Sequence, residues 1–281
     1  MFAMIKIRLM TVDDLQLGLR LSRQAGWNQT ESDWLRFIAL EPTGCFVAEL
    51  NECAVGTATT CVFGPVAWIA MVLVDVNARR QGVGTQLLRH CIGYLQQRKV
   101  KTVRLDATPA GRPIYQNLGF EPEYELARFE GIVQRQRPEL AVAKATPQIF
   151  AEIIEFDYRM TGTDRTKMLT RLFDEFQQEI RFLGQGDRID GFATLRPGAN
   201  AVQIGPCVAT TSAGPLLLSD ALNRCAGKAV FVDVPLLNVG AVEIAQSCGL
   251  TVQRRFTRMY RGQKISDNIK ALWASSGPEK G

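Results

Sequence analysis

The chain has 281 residues, of which 46% are hydrophobic and 22% are charged, a balance typical of soluble globular proteins. This length is sufficient for two domains of ordinary size. No apolar run reaches the roughly 20 residues that a membrane-spanning helix requires, and the first residues lack the apolar core of a signal peptide. We therefore expect a cytoplasmic protein that has no membrane partner.

Charge and residue counts exclude several kinds of site. The net charge of +5 is spread evenly over the two halves without a dense Lys/Arg run, so we expect no nucleic-acid partner. The seven cysteines lack metal or redox spacing and are expected to be buried and reduced. The only histidine is His90, which excludes a metal site built from two histidines of one chain, and we expect no bound metal.

Strand and helix patterns alternate through the first half of the chain. Thr11 and Thr30 each precede an amphipathic stretch with acidic residues in its first turn, which predicts a helix with a threonine N-cap. Residues 67–76 form an almost unbroken apolar run, typical of a central strand. The predicted elements are, in order, a strand at 4–10, helices at 11–24 and 30–40, a hairpin at 44–64, the strand at 67–76, a helix with an apolar face from Val83 to Leu95, a strand at 102–107, a short helix at 112–118 and a strand at 123–130.

The second half repeats the later part of this order. Gly119 precedes Arg128 by nine residues in GFEPEYELAR, and Gly249 precedes Arg258 by nine residues in GLTVQRRFTR. Upstream, VRLD pairs with VFVD, and VGTATT followed by MVLV pairs with DGFATL followed by GPCV. Several matches in one order indicate two copies of one fold. The polar segment 131–140 is the predicted boundary between them.

The stretch Arg79-Arg80-Gln81-Gly82-Val83-Gly84 follows the central strand and begins the next helix. A P-loop is excluded because no lysine precedes Thr85. A dinucleotide-binding fingerprint lacks its third glycine, which is Leu87 here, although Asp106 lies 22 residues past Gly84, where a ribose-binding acid would sit. The remaining motif is Arg/Gln-x-x-Gly-x-Gly/Ala, whose backbone N–H groups bind a pyrophosphate at a helix N-terminus. Taken alone, the stretch also fits a glycine-rich corner with solvated arginines.

The flanking segments give this turn a family context. The apolar strand, the turn, the amphipathic helix and YQNLGF (Tyr115–Phe120) together resemble the GNAT acetyltransferase superfamily over most of residues 5–130. The whole chain resembles a tandem GNAT protein. The resemblance implies an α+β fold (α/β three-layer) with two tandem GNAT-like domains, each a mixed, mostly antiparallel sheet flanked by helices. We predict an acetyl-CoA-binding N-acetyltransferase domain at 1–135 and an atypical GNAT-like domain without the pyrophosphate loop at 136–281.

The resemblance also implies acetyl-CoA as the cofactor and assigns residues to it. The main chain at Leu73 and Val74 would pair with the pantetheine arm, on a strand that splays from its neighbour. Tyr115 matches the family's tyrosine near the thioester sulfur, where a phenol can protonate a leaving thiolate. The pyrophosphate would be held by the loop and the first helical turn, at Arg79, Arg80, Gln81, Gly82, Val83, Gly84 and Thr85.

The second copy lacks these features. It reads ATTSAGPLLL where the first copy reads DVNARRQGVG, and Pro215 removes a backbone donor there. Ala245 stands at the position of Tyr115, although Asn238 keeps a family asparagine that is Thr108 in the first copy. We expect one active site in each chain and a second copy that completes the fold. The second copy could also wall the acceptor pocket.

These inferences predict an N-acetyltransferase that moves an acetyl group directly to an amine of a small molecule or a peptide. Trp27 and Asn28 lie where the family places acceptor-binding residues. Asp106, or Asp164 of the second copy, could accept the amine proton. A non-catalytic acyl-CoA sensor and an NAD(P)-binding protein are the alternatives, and the sequence leaves open whether the chain forms a homodimer.

Overall fold

The computed structural model describes residues 4–134, 142–186, 188–265 and 267–277. The first half contains β1 (Ile5–Leu9), α1 (Leu15–Gln24), α2 (Glu31–Leu40), β2 (Cys45–Leu50), β3 (Cys53–Phe63), β4 (Val66–Val74), α3 (Val83–Gln97), β5 (Thr102–Ala107), α4 (Arg112–Gln116) and β6 (Glu121–Ile132). The second half contains β7 (Ala143–Lys144), α5 (Pro147–Thr161), α6 (Thr166–Phe176), β8 (Arg181–Gln185), β9 (Arg188–Arg196), β10 (Val202–Ala209), α7 (Gly214–Arg224), β11 (Ala229–Pro235), α8 (Val239–Ser247), β12 (Thr251–Gly262) and β13 (Leu272–Ala274).

Both halves present the same order of elements. The first runs β1-α1-α2-β2-β3-β4-α3-β5-α4-β6, and the second runs β7-α5-α6-β8-β9-β10-α7-β11-α8-β12 before it adds β13. The predicted duplication is therefore confirmed, and it extends over the full length of both copies. The predicted junction between residues 135 and 136 lies outside the described residues.

Local chemistry explains where the first helices and the first hairpin begin and turn. Helix α2 starts at a capping box, in which the Thr30 hydroxyl accepts from the Asp33 amide at 3.4 Å and the Asp33 carboxylate accepts from the Thr30 amide at 2.9 Å. The first predicted helix differs slightly, because a 3-10 turn at Val12–Asp14 precedes α1. The hairpin turn places Asn51 and Glu52 at φ +49° and +68°, the paired left-handed conformation of a tight hairpin.

The helices cover both faces of the sheet. Alternate strand residues point to opposite faces, so Phe46 packs with α3 residues such as Leu87 while Val47 packs with Trp34 of α2. The predicted three-layer arrangement is present. Six of the seven cysteines are buried, as expected, and Cys53 is exposed.

All thirteen strands in the described ranges belong to one sheet, and the two copies exchange their last strands within it. The order is β1-β2-β3-β4-β5-β12-β6-β11-β10-β9-β8-β7, with β13 on β10. Strand β12 of the second copy pairs with β5 of the first, and β6 of the first copy pairs with β11 of the second. Each copy therefore completes the sheet of the other, which the sequence did not predict.

The sheet is mixed and mostly antiparallel, as predicted. Parallel pairing occurs between β4 and β5 and between β10 and β11, while the other described strand pairs are antiparallel. A dinucleotide-binding fold needs a largely parallel sheet around its glycine-rich turn. The alternative of a Rossmann-type NAD(P)-binding protein is therefore wrong.

Two buried ion pairs fix the strand exchange. Arg258 on β12 donates to both oxygens of Asp106 on β5, at 2.8 and 2.9 Å. Arg128 on β6 donates to both oxygens of Asp233 on β11, each at 2.8 Å. These are residues that recur in the sequence repeat, so each copy's arginine neutralises the aspartate of the other copy. Because all four side chains are at most 4% exposed, loss of one partner would leave a buried, unpaired charge.

Candidate active site

The sheet of the first copy opens between β4 and β5. These strands pair only where Val66–Trp68 face Thr102–Arg104, and they separate beyond that point. Met71 on β4 adopts φ +51°, and the ladder between β3 and β4 shifts register there. The Thr57 hydroxyl donates to the Met71 carbonyl at 2.9 Å and holds this bulge. The predicted splay is therefore present, and residues 69–74 have no ladder partner on β5.

The splay leads into a cavity of about 570 Å³. Seven of the predicted site residues line this cavity. They come from β4, the loop and first turn of α3, β5, α4 and the segment after α1, and they are Leu73, Val74, Arg79, Gly84, Asp106, Tyr115 and Trp27. The other predicted residues do not line it, namely Asn28, Arg80, Gln81, Gly82, Val83 and Thr85. The structure thus brings the two family motifs together around one space.

The loop before α3 turns the backbone sharply into the helix N-terminus. Arg80 at φ +61° and Gly82 at φ +82° turn the chain, and α3 begins at the next residue. The Val83 side chain is buried in the core, so only its main chain can face a ligand at the helix N-terminus. Arg79 is exposed at this edge, and its Nε donates to the Val74 carbonyl at 3.2 Å.

The space beside Gly84 is open. It lies in the first turn of α3, and a Cβ built on it would meet only Val74 Cγ2, at 3.5 Å, which is an ordinary contact. The fold itself therefore accepts a larger residue at this position. Since the helix N-terminus attracts anions, the space over Gly84 suits a bulky phosphate group that a side chain would displace.

Tyr115 on α4 contributes a phenol to the same cavity. Its ring lies over Gly111, where a Cβ would come 2.9 Å from Cε2, and it meets Phe120 edge-on with centroids 6.0 Å apart. Within the described part of the chain, its hydroxyl forms no hydrogen bond. Burial raises the pKa of Tyr115 to about 12. The side chain is therefore a neutral phenol with a hydroxyl available to a ligand.

The predicted acceptor residues have different surroundings. Trp27 is half-buried and lines the cavity. Asn28 is buried, and its side-chain oxygen accepts from the amides of Asn200 and Ala201 at 2.8 and 3.0 Å. Its side-chain nitrogen donates to the Ala201 carbonyl at 3.0 Å. Asn28 therefore holds the segment after α1 against the second copy. These hydrogen bonds give Asn28 a structural role and do not bear on its predicted contact with an acceptor.

The two predicted proton acceptors lie in different places. Asp106 lines the cavity, where both of its oxygens accept bonds from Arg258 and burial raises its pKa. Asp164 lies outside the cavity lining, and one of its oxygens accepts from the Thr166 amide at 3.1 Å at the start of α6. The structure gives Asp164 the role of a helix-terminus residue.

The exchanged strands supply lining residues that sequence reasoning missed. Arg254 and Phe256 from β12 and Arg128 from β6 face the cavity beside the segment that carries Trp27. The second copy therefore walls the pocket. The repeat marked these strands as equivalent, but no pattern in the sequence indicated that β12 crosses to the other copy.

The equivalent splay in the second copy is filled by the chain itself. Strand β10 pairs with β11 only from Val202 to Ile204, and β13 then lies antiparallel along β10 at Cys207 and Val208. The Trp273 indole packs so closely on Gly214, at the start of α7, that a Cβ there would collide with it. In this copy the place of the cofactor arm is therefore occupied by protein.

Asn238 takes part in this closure. Its Oδ1 accepts from the Ala241 amide at 3.2 Å and caps α8. Its Nδ2 donates to the carbonyl of Leu272 on β13 at 2.9 Å. The family asparagine retained in the second copy thus binds the C-terminal segment.

Comparison with known proteins assigns the family. Residues 13–120 match the sequence model of the acetyltransferase (GNAT) family, and residues 153–274 match that of the acetyltransferase (GNAT) domain. The chain belongs to the GNAT acetyltransferase superfamily. Because the two matches together span most of both copies, it is a tandem GNAT protein, and its family is one of acyltransferases.

Two relatives share most of this tandem GNAT chain. The holothin acyltransferase of Pseudoalteromonas sp. (strain SANK 73390) is 26% identical over 264 residues, which cover 91% of this chain and 87% of the relative. An uncharacterized N-acetyltransferase of Bacillus subtilis (strain 168), YitH, is 27% identical over 204 residues, which cover 69% of each chain.

Solved structures show the same fold. A crystal structure of an acetyltransferase candidate from Pyrococcus horikoshii has a TM-score of 0.83 at 24% identity and covers 99% of this chain and 96% of its own. A tandem GNAT protein from the clavulanic acid biosynthesis pathway has a TM-score of 0.63 at 13% identity and covers 94% of this chain and 100% of its own. Among the described helices, none is both long and apolar enough to cross a membrane.

Proposed function

We propose that this tandem GNAT protein is an acetyl-CoA-dependent N-acetyltransferase that transfers an acetyl group directly to an amine of a small molecule or a peptide. The observation that carries the proposal is the shared cavity. The splayed strand β4, the open helix N-terminus at Gly84 and the free hydroxyl of Tyr115 all line it.

Different residues would hold the cofactor and support the transfer. The helix N-terminus at Gly84, with Arg79 beside it, would hold the pyrophosphate, and the main chain at Leu73 and Val74 would hold the pantetheine arm. When bound, acetyl-CoA would supply the thioester that acylates the amine. Tyr115 would give its proton to the departing sulfur, and the proton that the amine nitrogen loses would restore the phenol, directly or through solvent.

Main-chain donors on β4 would serve the oxygen that becomes negative during the transfer. Residues 69–74 have no ladder partner on β5, so their backbone groups on that side, apart from the Val74 carbonyl that Arg79 binds, are not used by the sheet. Donors fixed in place before the reaction stabilise developing charge without a cost of reorganisation. The Met71 bulge, with φ +51°, fixes the local direction of this strand and so the direction of these groups.

The proposal predicts thioester loss from acetyl-CoA that depends on an added amine. Purified protein would be incubated with acetyl-CoA and a panel of small amines, amino acids and short peptides, and acetylated products would be identified by mass spectrometry. Thioester absorbance is the preferred rate readout, because Cys53 is exposed and would react with a thiol reagent. Amine-dependent product supports the proposal, while cofactor binding without turnover on any amine would favour the acyl-CoA sensor.

We further expect one acetyl-CoA per chain. The first copy offers the open splay and the Gly84 cradle, whereas β13 and Trp273 fill the equivalent space in the second copy. Isothermal titration calorimetry of acetyl-CoA into the full chain should therefore give a stoichiometry close to one. A second site of comparable affinity would contradict the assignment of β13 as a permanent occupant of the second splay.

A further inference from the structure

The acceptor side of the cavity, by which we mean the part beside Gly26 and Trp27, carries Arg254, which forms no ion pair with a carboxylate among the described residues. Arg254 is half-buried, and its Nε donates to the side-chain oxygen of Gln253 at 3.1 Å while Nη2 donates to the Gly26 carbonyl at 3.5 Å. Over the residues that the structure describes, no carboxylate forms an ion pair with it. Its bond to Gly26 places it beside the segment that carries Trp27, on the acceptor side.

The two carboxylates near Arg254 accept hydrogen bonds from other side chains. Asp233 accepts from Arg128 through both oxygens and also from Gln203 at 3.2 Å. Glu130 accepts a hydrogen bond from the side-chain nitrogen of Gln253 at 2.5 Å. Both carboxylates are close enough to stabilise the Arg254 guanidinium electrostatically, but in the described part of the chain neither forms an ion pair with it.

A neighbouring arginine raises the free-energy cost of half-burying the Arg254 charge. Arg254 lies directly opposite Arg128 in the β12–β6 register, next to a bulge that follows Val252. Like charges at directly opposite positions destabilise a sheet, and bulges often redirect a side chain toward a site. Burial, together with the charge of Arg128, lowers the pKa of Arg254. A bound anion would relieve both effects.

The internal repeat shows that the fold does not require this arginine. The same strand pair places Tyr124 opposite Arg258, which is the pair equivalent to Arg254 opposite Arg128. There Arg258 donates to the Tyr124 hydroxyl at 2.6 Å, so a neutral residue satisfies the position. The arginine appears only in the pair that lines the cavity of the cofactor-binding copy. Its presence is better explained by a ligand than by the sheet.

We propose that the amine acceptor carries a carboxylate and that Arg254 binds this group. An amino acid, or a small molecule with the same amine and carboxylate groups, is the substrate class that this charge selects. Phe256 and Trp27 also line the cavity and would contact the apolar part of such a substrate. The inference rests on the proposed function, because it names the acceptor for that reaction.

The test compares amino acids with the corresponding amino-acid amides, which keep the amine and lose the carboxylate. The full panel of common amino acids and amides would be assayed with the wild-type protein, Arg254→Gln and Arg255→Gln. Arg255 is the exposed neighbour on the same strand, so its substitution removes an equal charge outside the cavity. We expect wild type and Arg255→Gln to prefer the carboxylate form, and Arg254→Gln to lose about 10- to 100-fold in kcat/KM for that form alone.

Binding measurements separate failure of this inference from failure of the proposed function. Titration of the same panel into protein saturated with coenzyme A should show carboxylate-dependent binding that Arg254→Gln abolishes. If this binding occurs without any turnover, the ligand assignment stands and the acetyltransferase proposal falls. Equal use of acids and amides, no carboxylate-dependent binding across the panel, or an Arg254→Gln effect confined to acetyl-CoA affinity would each overturn the inference.

Discussion

Replacement of Tyr115 by phenylalanine is expected to lower kcat by about 100-fold or more, the usual contribution of a positioned general acid. The substitution keeps the ring that packs over Gly111 and against Phe120 and removes only the hydroxyl. That hydroxyl has no hydrogen bond in the described part of the chain, so its loss should leave the fold unchanged. The acetyl-CoA affinity should stay within about twofold of the wild-type value. Steady-state rates and calorimetry measure the two quantities separately.

The matched control is Tyr158→Phe, which removes an exposed phenol from α5, outside the cavity lining. It should leave kcat and acetyl-CoA affinity unchanged. An unaltered kcat in Tyr115→Phe would remove the acid role from Tyr115. Loss of acetyl-CoA affinity in Tyr115→Phe would instead give the tyrosine a binding role.

The acid role also sets the alkaline pH profile. Burial raises the pKa of Tyr115 to about 12, so the folded protein keeps the proton on this phenol at lower pH and loses it only near pH 12. An unperturbed phenol would be half ionised near pH 10. We therefore expect no decline of the wild-type rate between pH 8 and 10 from this group, together with a constant ratio of wild-type to Tyr115→Phe rates.

Substitution of Gly84 by alanine is expected to weaken acetyl-CoA binding by about 10- to 100-fold while the protein stays at least as stable. The added Cβ has an ordinary 3.5 Å contact with Val74 and occupies the space assigned to the pyrophosphate. Alanine also has a higher helix propensity than glycine, so the free energy of unfolding should be unchanged or rise by up to about 1 kcal/mol. Calorimetry with acetyl-CoA and chemical denaturation test the two parts.

Gly93→Ala is the control for the same helix. A Cβ at Gly93 meets no heavy atom within 4 Å, so this variant should gain similar stability and bind acetyl-CoA normally. Equal affinities in Gly84→Ala and Gly93→Ala would contradict the cradle. A loss of stability confined to Gly84→Ala would show that the fold, and not the ligand, requires that glycine.

The sequence by itself determined the duplication, the element order and the positions of the loop and Tyr115. These features depend on interactions between residues close in the chain, such as the capping box of Thr30 and Asp33 and the turn at Asn51 and Glu52. Periodicity and spacing record such local requirements directly. The comparison of ATTSAGPLLL with DVNARRQGVG likewise needed only the linear order of the two copies.

The tertiary structure decided which strands are neighbours, and with them the wall of the site. Arg254 reaches the first copy's cavity only because β12 lies beside β5, and Arg258 binds Asp106 from that same strand. Likewise, β13 fills the second splay from the far end of the chain. Partners so distant in sequence leave no periodic signal, because a strand pattern specifies a buried face and not the strand that pairs with it.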